Sequence, residues 1–236
     1  MTHLALQTNT LYVNDGSGDF IDATDSVRLG TDSVPFTGFG SRWFDYDNDG
    51  LLDLYVANGA VMLERAREGR SNFPYEQTNQ LFRNRGGGFV DASVAAGEAS
   101  APLEVSRGAA FGDVDNDGDV DVVVSNANGP VRLLLNRVGN RRHWLNVRLQ
   151  GTESNRDGSG ARVGVVTPGG TVWRRAHTDG SYLSASDPRV HFGLGETTGT
   201  VSVVVRWPRG RNEIWKDLAV DSFASLVEGS GEPWSS

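Results

Sequence analysis

The feature that most constrains this 236-residue chain is a nine-residue pattern that occurs twice. Asp45, Asp47, Asp49 and Asp53 stand at positions 1, 3, 5 and 9 of the first copy, with Gly50 at position 6 and Leu51 at position 7. Asp113, Asp115, Asp117 and Asp121 repeat the spacing, with Gly118 and Asp119 at positions 6 and 7. Carboxylates this crowded repel one another unless a positive charge lies between them. A hard cation ligated by oxygen meets that need, and calcium accepts roughly six to eight oxygens in flexible geometry. The glycine permits the sharp turn that folds the loop around the ion. Position 7 is expected to offer its backbone carbonyl, which leaves its side chain free to be Leu51 in one loop and Asp119 in the other. The expectation is therefore two calcium ions per chain, one in each loop.

An EF-hand needs Glu at loop position 12, where this chain has Val56 and Val124. Short runs rich in β-branched and apolar residues, Leu52 to Val56 and Val120 to Val124, leave the loops and stop at Asn58-Gly59 and Asn128-Gly129. These read as metal loops running into strands. A merely solvated acidic turn is the bland alternative, since Asp, Asn and Gly are ordinary turn formers, and the duplication weighs against it.

The loops belong to a longer repeat of roughly 70 residues. A hairpin pattern, Leu11 to Asn14 followed by Phe20 to Thr24, recurs as Leu81 to Asn84 followed by Phe89 to Ser93, and a third start stands at Leu133 to Asn136. Strands rich in small residues, Gly38 to Phe44 and Gly108 to Gly112, run into the loops. That makes about four short strands per unit, the count of a propeller blade. Between the units, residues 59–80 are read as a surface insertion, with room for a short helix at Val61 to Glu68 and a binding loop as the alternative.

The Phe44-Asp45 and Phe111-Gly112-Asp113 entries into the loops, with the Leu-x-x-Asn hairpins, resemble FG-GAP (VCBS-type) repeats. These build integrin-α-like β-propellers. The resemblance implies metal ligation by Asp45, Asp47, Asp49, Asp53, Asp113, Asp115, Asp117 and Asp121. Two units and a third start do not close a ring, so the expected architecture is a partial propeller whose open blade edges favour self-association.

Past residue 140 the loop pattern ends. His143 to Leu149, Ala161 to Thr167, Thr171 to Ala176, Val201 to Trp207, Glu213 to Trp215 and Ser222 to Val227 read as strands of a small sandwich. His143-Trp144-Leu145, Asn155 to Arg162, Gly180 to Ser184, His191 to Gly195 and Trp207 to Gly210 resemble the ASPIC/UnbV domain. The expected division is a repeat region over residues 1–139 and this all-β domain over 140–236. Charge changes near the same point: residues 1–139 hold 20 acidic and 10 basic side chains, residues 140–236 hold 10 and 12. Nine of the 20 lie inside the two loops, so the acidity is mostly ligand.

Other chemistries find little support. The absence of cysteine excludes disulfides and thiolate metal sites. There is no basic stripe for nucleic acid and no apolar run long enough for a membrane-spanning helix. His3, His143, His177 and His191 lack metal-type spacing, and neither a nucleophile elbow nor a phosphate loop is present. Gly38-Phe39-Gly40 and Gly193-Leu194-Gly195 lack a third glycine and are read as turns. Trp173, Tyr182, Trp207 and Trp215 are candidates for a sugar platform, although aromatics in strands more often fill a core. The N-terminus shows no signal-peptide pattern. Placement outside the cell, at its surface or in the periplasm follows from the family resemblance alone.

The reading is thus an all-β, calcium-binding, non-enzymatic binding or adhesion protein with an unknown protein or glycan partner. A carbohydrate-binding module, or an accessory region of a secreted enzyme, is the rival.

Overall fold

The computed structural model describes residues 1–61, 75–167 and 169–235. The helix expected beyond Val61 lies outside the described residues. The chain is nearly all β, and no sheet closes on itself among the described residues.

Strands β3 (Gly38–Phe44), β4 (Asp53–Asn58), β5 (Gln80–Asn84) and β6 (Phe89–Asp91) form one antiparallel blade in that order. Strands β7 (Ser106–Gly112), β8 (Asp121–Asn126) and β9 (Arg132–Leu134) form a second. Each acidic loop joins the first strand of its blade to the second, and the registers match: Phe44 faces Asp53 as Gly112 faces Asp121. The repeat read from the sequence is therefore half a blade out of phase with the sheets. The hairpin at Leu81 completes the first blade rather than opening the next, and Leu133 lies in the third strand of the second blade. A repeat period fixes spacing and leaves open where a sheet begins. The first hairpin, β1 (Tyr12–Asn14) and β2 (Phe20–Asp22), stands as a separate two-stranded ribbon.

The blades stack through two apolar layers. Leu54, Val56, Phe82 and Phe89 pack with Leu29, Leu11 and Val27 on one face of the first blade. Tyr55, Ala57 and Leu81 on its other face pack with Phe111, Val120, Val122 and Val124 of the second. Strand β4 is covered on both sides, which explains its continuous apolar run rather than an alternating one. Close approach of the inner strands requires Gly40, where a Cβ would lie 2.7 Å from Ala109 N and 2.8 Å from Arg107 O. The pair at Gly38 and Gly40 thus lies in a strand, not a turn.

Beyond a short 3-10 turn at Gly139–Arg141, β10 (His143–Gln150) lies between β13 (Val190–Gly195) and β16 (Ser222–Val227). A second sheet has the order β12 (Gly170–Arg175), β11 (Arg162–Thr167), β14 (Thr200–Arg206), β15 (Asn212–Ala219) and β17 (Glu232–Pro233). Alternate residues of the two sheets share one core, with Leu145, Val147, Val163, Val165, Phe192, Val203, Val205 and Leu226 at its centre. This is the small sandwich expected from the strand pattern. Gly193 belongs to β13 and is again no turn. A side chain there would collide with Asp45 and with the Asn48 backbone, so the glycine lets β13 lie against the first metal loop.

Candidate metal centre

Both loops fold as their spacing demands. Gly50 and Gly118 take φ of 91° and 94°, and the position-4 residues Asn48 and Asn116 take 52° and 61°. Asn tolerates this left-handed region better than other side chains. The position-1 carboxylates organise the turn. Asp45 accepts from Asp49 N at 3.0 Å and Gly50 N at 2.8 Å, and Asp113 accepts from Asp117 N and Gly118 N, both at 3.1 Å.

Positions 1, 3 and 5 converge. Asp45, Asp47 and Asp49 bring carboxylate oxygens within 4.8 Å of one another, and so do Asp113, Asp115 and Asp117. Asp47 Oδ1 is buried without a hydrogen-bond partner among the described residues, as an oxygen reserved for a cation would be. Burial, with the charge of neighbouring loop carboxylates added, lifts the Asp45 carboxyl to about 7 and also raises Asp47 and Asp113.

Position 9 is placed differently. Both oxygens of Asp53 are engaged, by Tyr46 N at 3.1 Å and Asn84 N at 2.8 Å. Asp121 accepts likewise from Val114 N and Asn136 N, both at 2.8 Å. These residues lie outside the two triads and brace each loop to the third strand of its blade. Asn84 and Asn136 return the contact by donating to Leu52 O at 3.0 Å and Val120 O at 3.3 Å. The repeated Leu-x-x-Asn phrase carried that signal. Position 7 differs between the two loops. Leu51 is partly exposed, whereas Asp119 is buried, accepts from Asn140 N at 3.2 Å and is raised to about 7 by that burial.

The loops differ in their counter-charges. Arg83 pairs with Asp47 and lies 3.6 Å from Asp49, while Arg142 lies 3.5 Å from Asp47 and 3.9 Å from Asp49. The residue corresponding to Arg83 in the second blade is Leu135, just past β9, and Asn140 Nδ2 reaches Asp117 at 2.5 Å instead.

The sandwich grips both loops at position 4. Asn48 donates to Gly118 O at 3.0 Å and Gly139 O at 2.9 Å, and its Oδ1 lies 2.6 Å from His191 Nε2. With its amide nitrogen committed to two carbonyls, Asn48 offers an acceptor, which places the proton on His191 Nε2. Desolvation, helped by Arg174 and Arg189, pushes His191 down to about 3, so the ring is neutral. Arg189 holds the second loop, donating to Asn116 Oδ1 at 2.8 Å and Asp113 O at 2.6 Å. Sequence reasoning passed over both asparagines and saw in His191 only the lack of metal-type spacing.

The remaining candidates do not assemble. His143 contacts Asp221 at 2.7 Å and His177 contacts Asp179 at 2.8 Å, each apart from the metal loops. Trp207 is in the sandwich core, Trp215 packs against that core, Tyr182 stacks on Phe39 and Trp173 lies under Arg206. No shared aromatic platform results among these four.

Blades carrying acidic loops, followed by a β-sandwich, define the class. Residues 71–124 match the FG-GAP-like repeat family and residues 151–233 match the ASPIC and UnbV family. The chain thus carries an FG-GAP-like repeat region and an ASPIC and UnbV domain, as the motifs implied. It is similar to cartilage acidic protein 1 of Homo sapiens, at 26% identity over 93% of this chain and 40% of the relative. It is similar to cartilage acidic protein 1 of Xenopus tropicalis at 25% identity, over 86% of this chain and 38% of the relative. The chain spans about two fifths of the length of these relatives.

Proposed function

We propose that this chain is a calcium-stabilised, non-catalytic binding or adhesion protein that works outside the cytoplasm. The observation that carries the reading is the pair of carboxylate triads on equivalent hairpins, one holding the orphaned Asp47 Oδ1. In each loop positions 1, 3 and 5 supply carboxylates and position 7 supplies its carbonyl. Position 9 contributes the lone pairs left over by its two backbone donors. Arg83 withdraws from Asp47 when the first loop fills. The metal supplies charge neutralisation that the second loop lacks and that Arg83 and Arg142 supply to the first, and the asparagine clamps pass that order to the sandwich. Similarity to cartilage acidic protein 1 supports the extracellular placement and the non-catalytic role.

Thermal melting in EDTA, calcium and magnesium tests the reading. Calcium at about a hundred times its Kd adds about 2.7 kcal/mol per site and raises Tm by several degrees. Magnesium does much less, because it demands a tighter octahedron and keeps its waters. Equal midpoints in all three buffers would contradict the proposal.

A further inference from the structure

A cavity of about 300 Å³ opens where the two blades meet the sandwich. Three guanidinium groups line it, Arg42 from β3 and Arg174 and Arg175 from β12. Among the described residues none of the three pairs with a carboxylate, and the acids nearby are engaged elsewhere. Asp187 accepts from Arg189 Nε at 2.7 Å, and Asp179 holds His177 at 2.8 Å. Asp45 and Asp113 accept from the amides of their own loops and belong to the two carboxylate triads. The charges of Asp45 and Asp179 reach these arginines only from beyond ion-pair distance.

Arg174 is the sharpest case. Its terminal nitrogens donate to Gly50 O at 3.1 Å and Trp173 O at 3.2 Å, both neutral carbonyls. Its Nε is buried with no hydrogen-bond partner among the described residues. Arg42 repeats the pattern, donating to Asp179 O at 2.9 Å and His177 O at 3.2 Å. Carbonyls satisfy hydrogen bonds but leave the positive charge in place, and charges withdrawn from water are ordinarily paired. A latch between sandwich and blade needs only the carbonyl contacts. The unpartnered Nε, with three unpaired guanidinium groups on one cavity, calls for an anion, and the guanidinium fork matches an oxyanion.

We propose that this cavity binds a small organic anion, with its oxyanion headgroup held by Arg42, Arg174 and Arg175. Phe44, Phe111 and Leu52 line the same cavity, so the occupant carries an apolar body as well as a charge. Ligand pockets run from about 300 to 1,000 Å³, which makes this a site for a small molecule. Carboxylate and sulfate share the recognition chemistry. The inference goes beyond the calcium reading and does not rest on it.

The probes are benzoate, phenyl sulfate and the neutral isostere benzamide, titrated into the whole chain in calcium. Proton–nitrogen correlation NMR follows them, because the Arg174 Nε–H gives its own signal. Saturable binding of at least one anion is expected, with a Kd on the order of 1 mM, and the tighter of the two identifies the headgroup. The Arg174 Nε–H signal should shift as that donor gains a partner. Benzamide should bind at least about tenfold more weakly, and Arg174→Met should weaken the anion by a similar factor, since hydrogen bonds to charged groups are the strong ones. Arg175 is exposed, so Arg175→Gln should weaken binding with melting unchanged, which separates loss of the site from loss of the fold. No saturation by either anion at about 10 mM would overturn the proposal. So would benzamide binding as tightly as the anions, or full affinity in Arg174→Met, or in Arg175→Gln where the first variant does not fold.

Discussion

Replacing Asn48 probes the joint between the first loop, the second loop and the sandwich. Its side chain is fully buried, makes three hydrogen bonds and sits at φ 52°. Asn48→Gly keeps the backbone conformation and deletes the three bonds, at about 1 kcal/mol each, for a loss of about 3 kcal/mol. Asn48→Ala deletes the same bonds and adds about 1 kcal/mol for a Cβ in the left-handed region. Asn48→Asp keeps an acceptor for His191 but turns an oxygen toward Gly118 O and Gly139 O, and should be the least stable of the three. The assay is urea unfolding in excess calcium, followed by tryptophan fluorescence. The order wild type, Gly, Ala, Asp is the expected result. Losses all below about 0.5 kcal/mol, the range of an ordinary surface substitution, would refute the clamp. Equal stability of the Gly and Ala variants would refute its backbone part.

The metal loops should reverse the pH dependence of stability. Asp45, Asp53 and Asp119 stand at about 7 in the folded, metal-free protein, chiefly through burial, against a carboxylate value of 3.8. Groups raised on folding stabilise below their unfolded value and lose that contribution as pH rises through the folded one. In chelator, Tm should therefore fall as pH rises from about 4 to 7. His191 acts in the opposite sense below its ordinary 6.5, since its folded value is about 3, so the interval from pH 6.5 to 7.5 isolates the carboxylates. With calcium bound, Tm should hold or rise over that interval, because the metal needs ionised ligands. A Tm that rises in chelator would contradict the assignment. Asp47→Ala and Asp115→Ala should each abolish most of one site's calcium response, while Leu51→Ala leaves calcium uptake intact. Melting with and without calcium checks all three variants.

The paired acidic loops and the class of fold were legible because loop spacing and strand alternation are local. Eight carboxylates at fixed intervals need no tertiary information. The phase of the blades was not legible, since Leu81 follows one loop as well as it precedes the next. Nor was the work of Asn48, Asn116 and His191, whose partners come from distant parts of the chain. Gly193 was misread for the same reason: the pressure against its Cα comes from Asp45 and Asn48 across the interface. The side chain at Asp119 seemed free only while its neighbour Asn140 was unknown.

The central claim is that calcium occupies both loops, and isothermal titration calorimetry of the chelator-stripped chain tests it most directly. Two ions per chain are predicted, with the first loop the weaker because calcium must displace Arg83 from Asp47. Asp47→Ala should remove that weaker site and Asp115→Ala the tighter one, each leaving one ion. No heat of calcium binding, or two ions still bound after both substitutions together, would contradict the account.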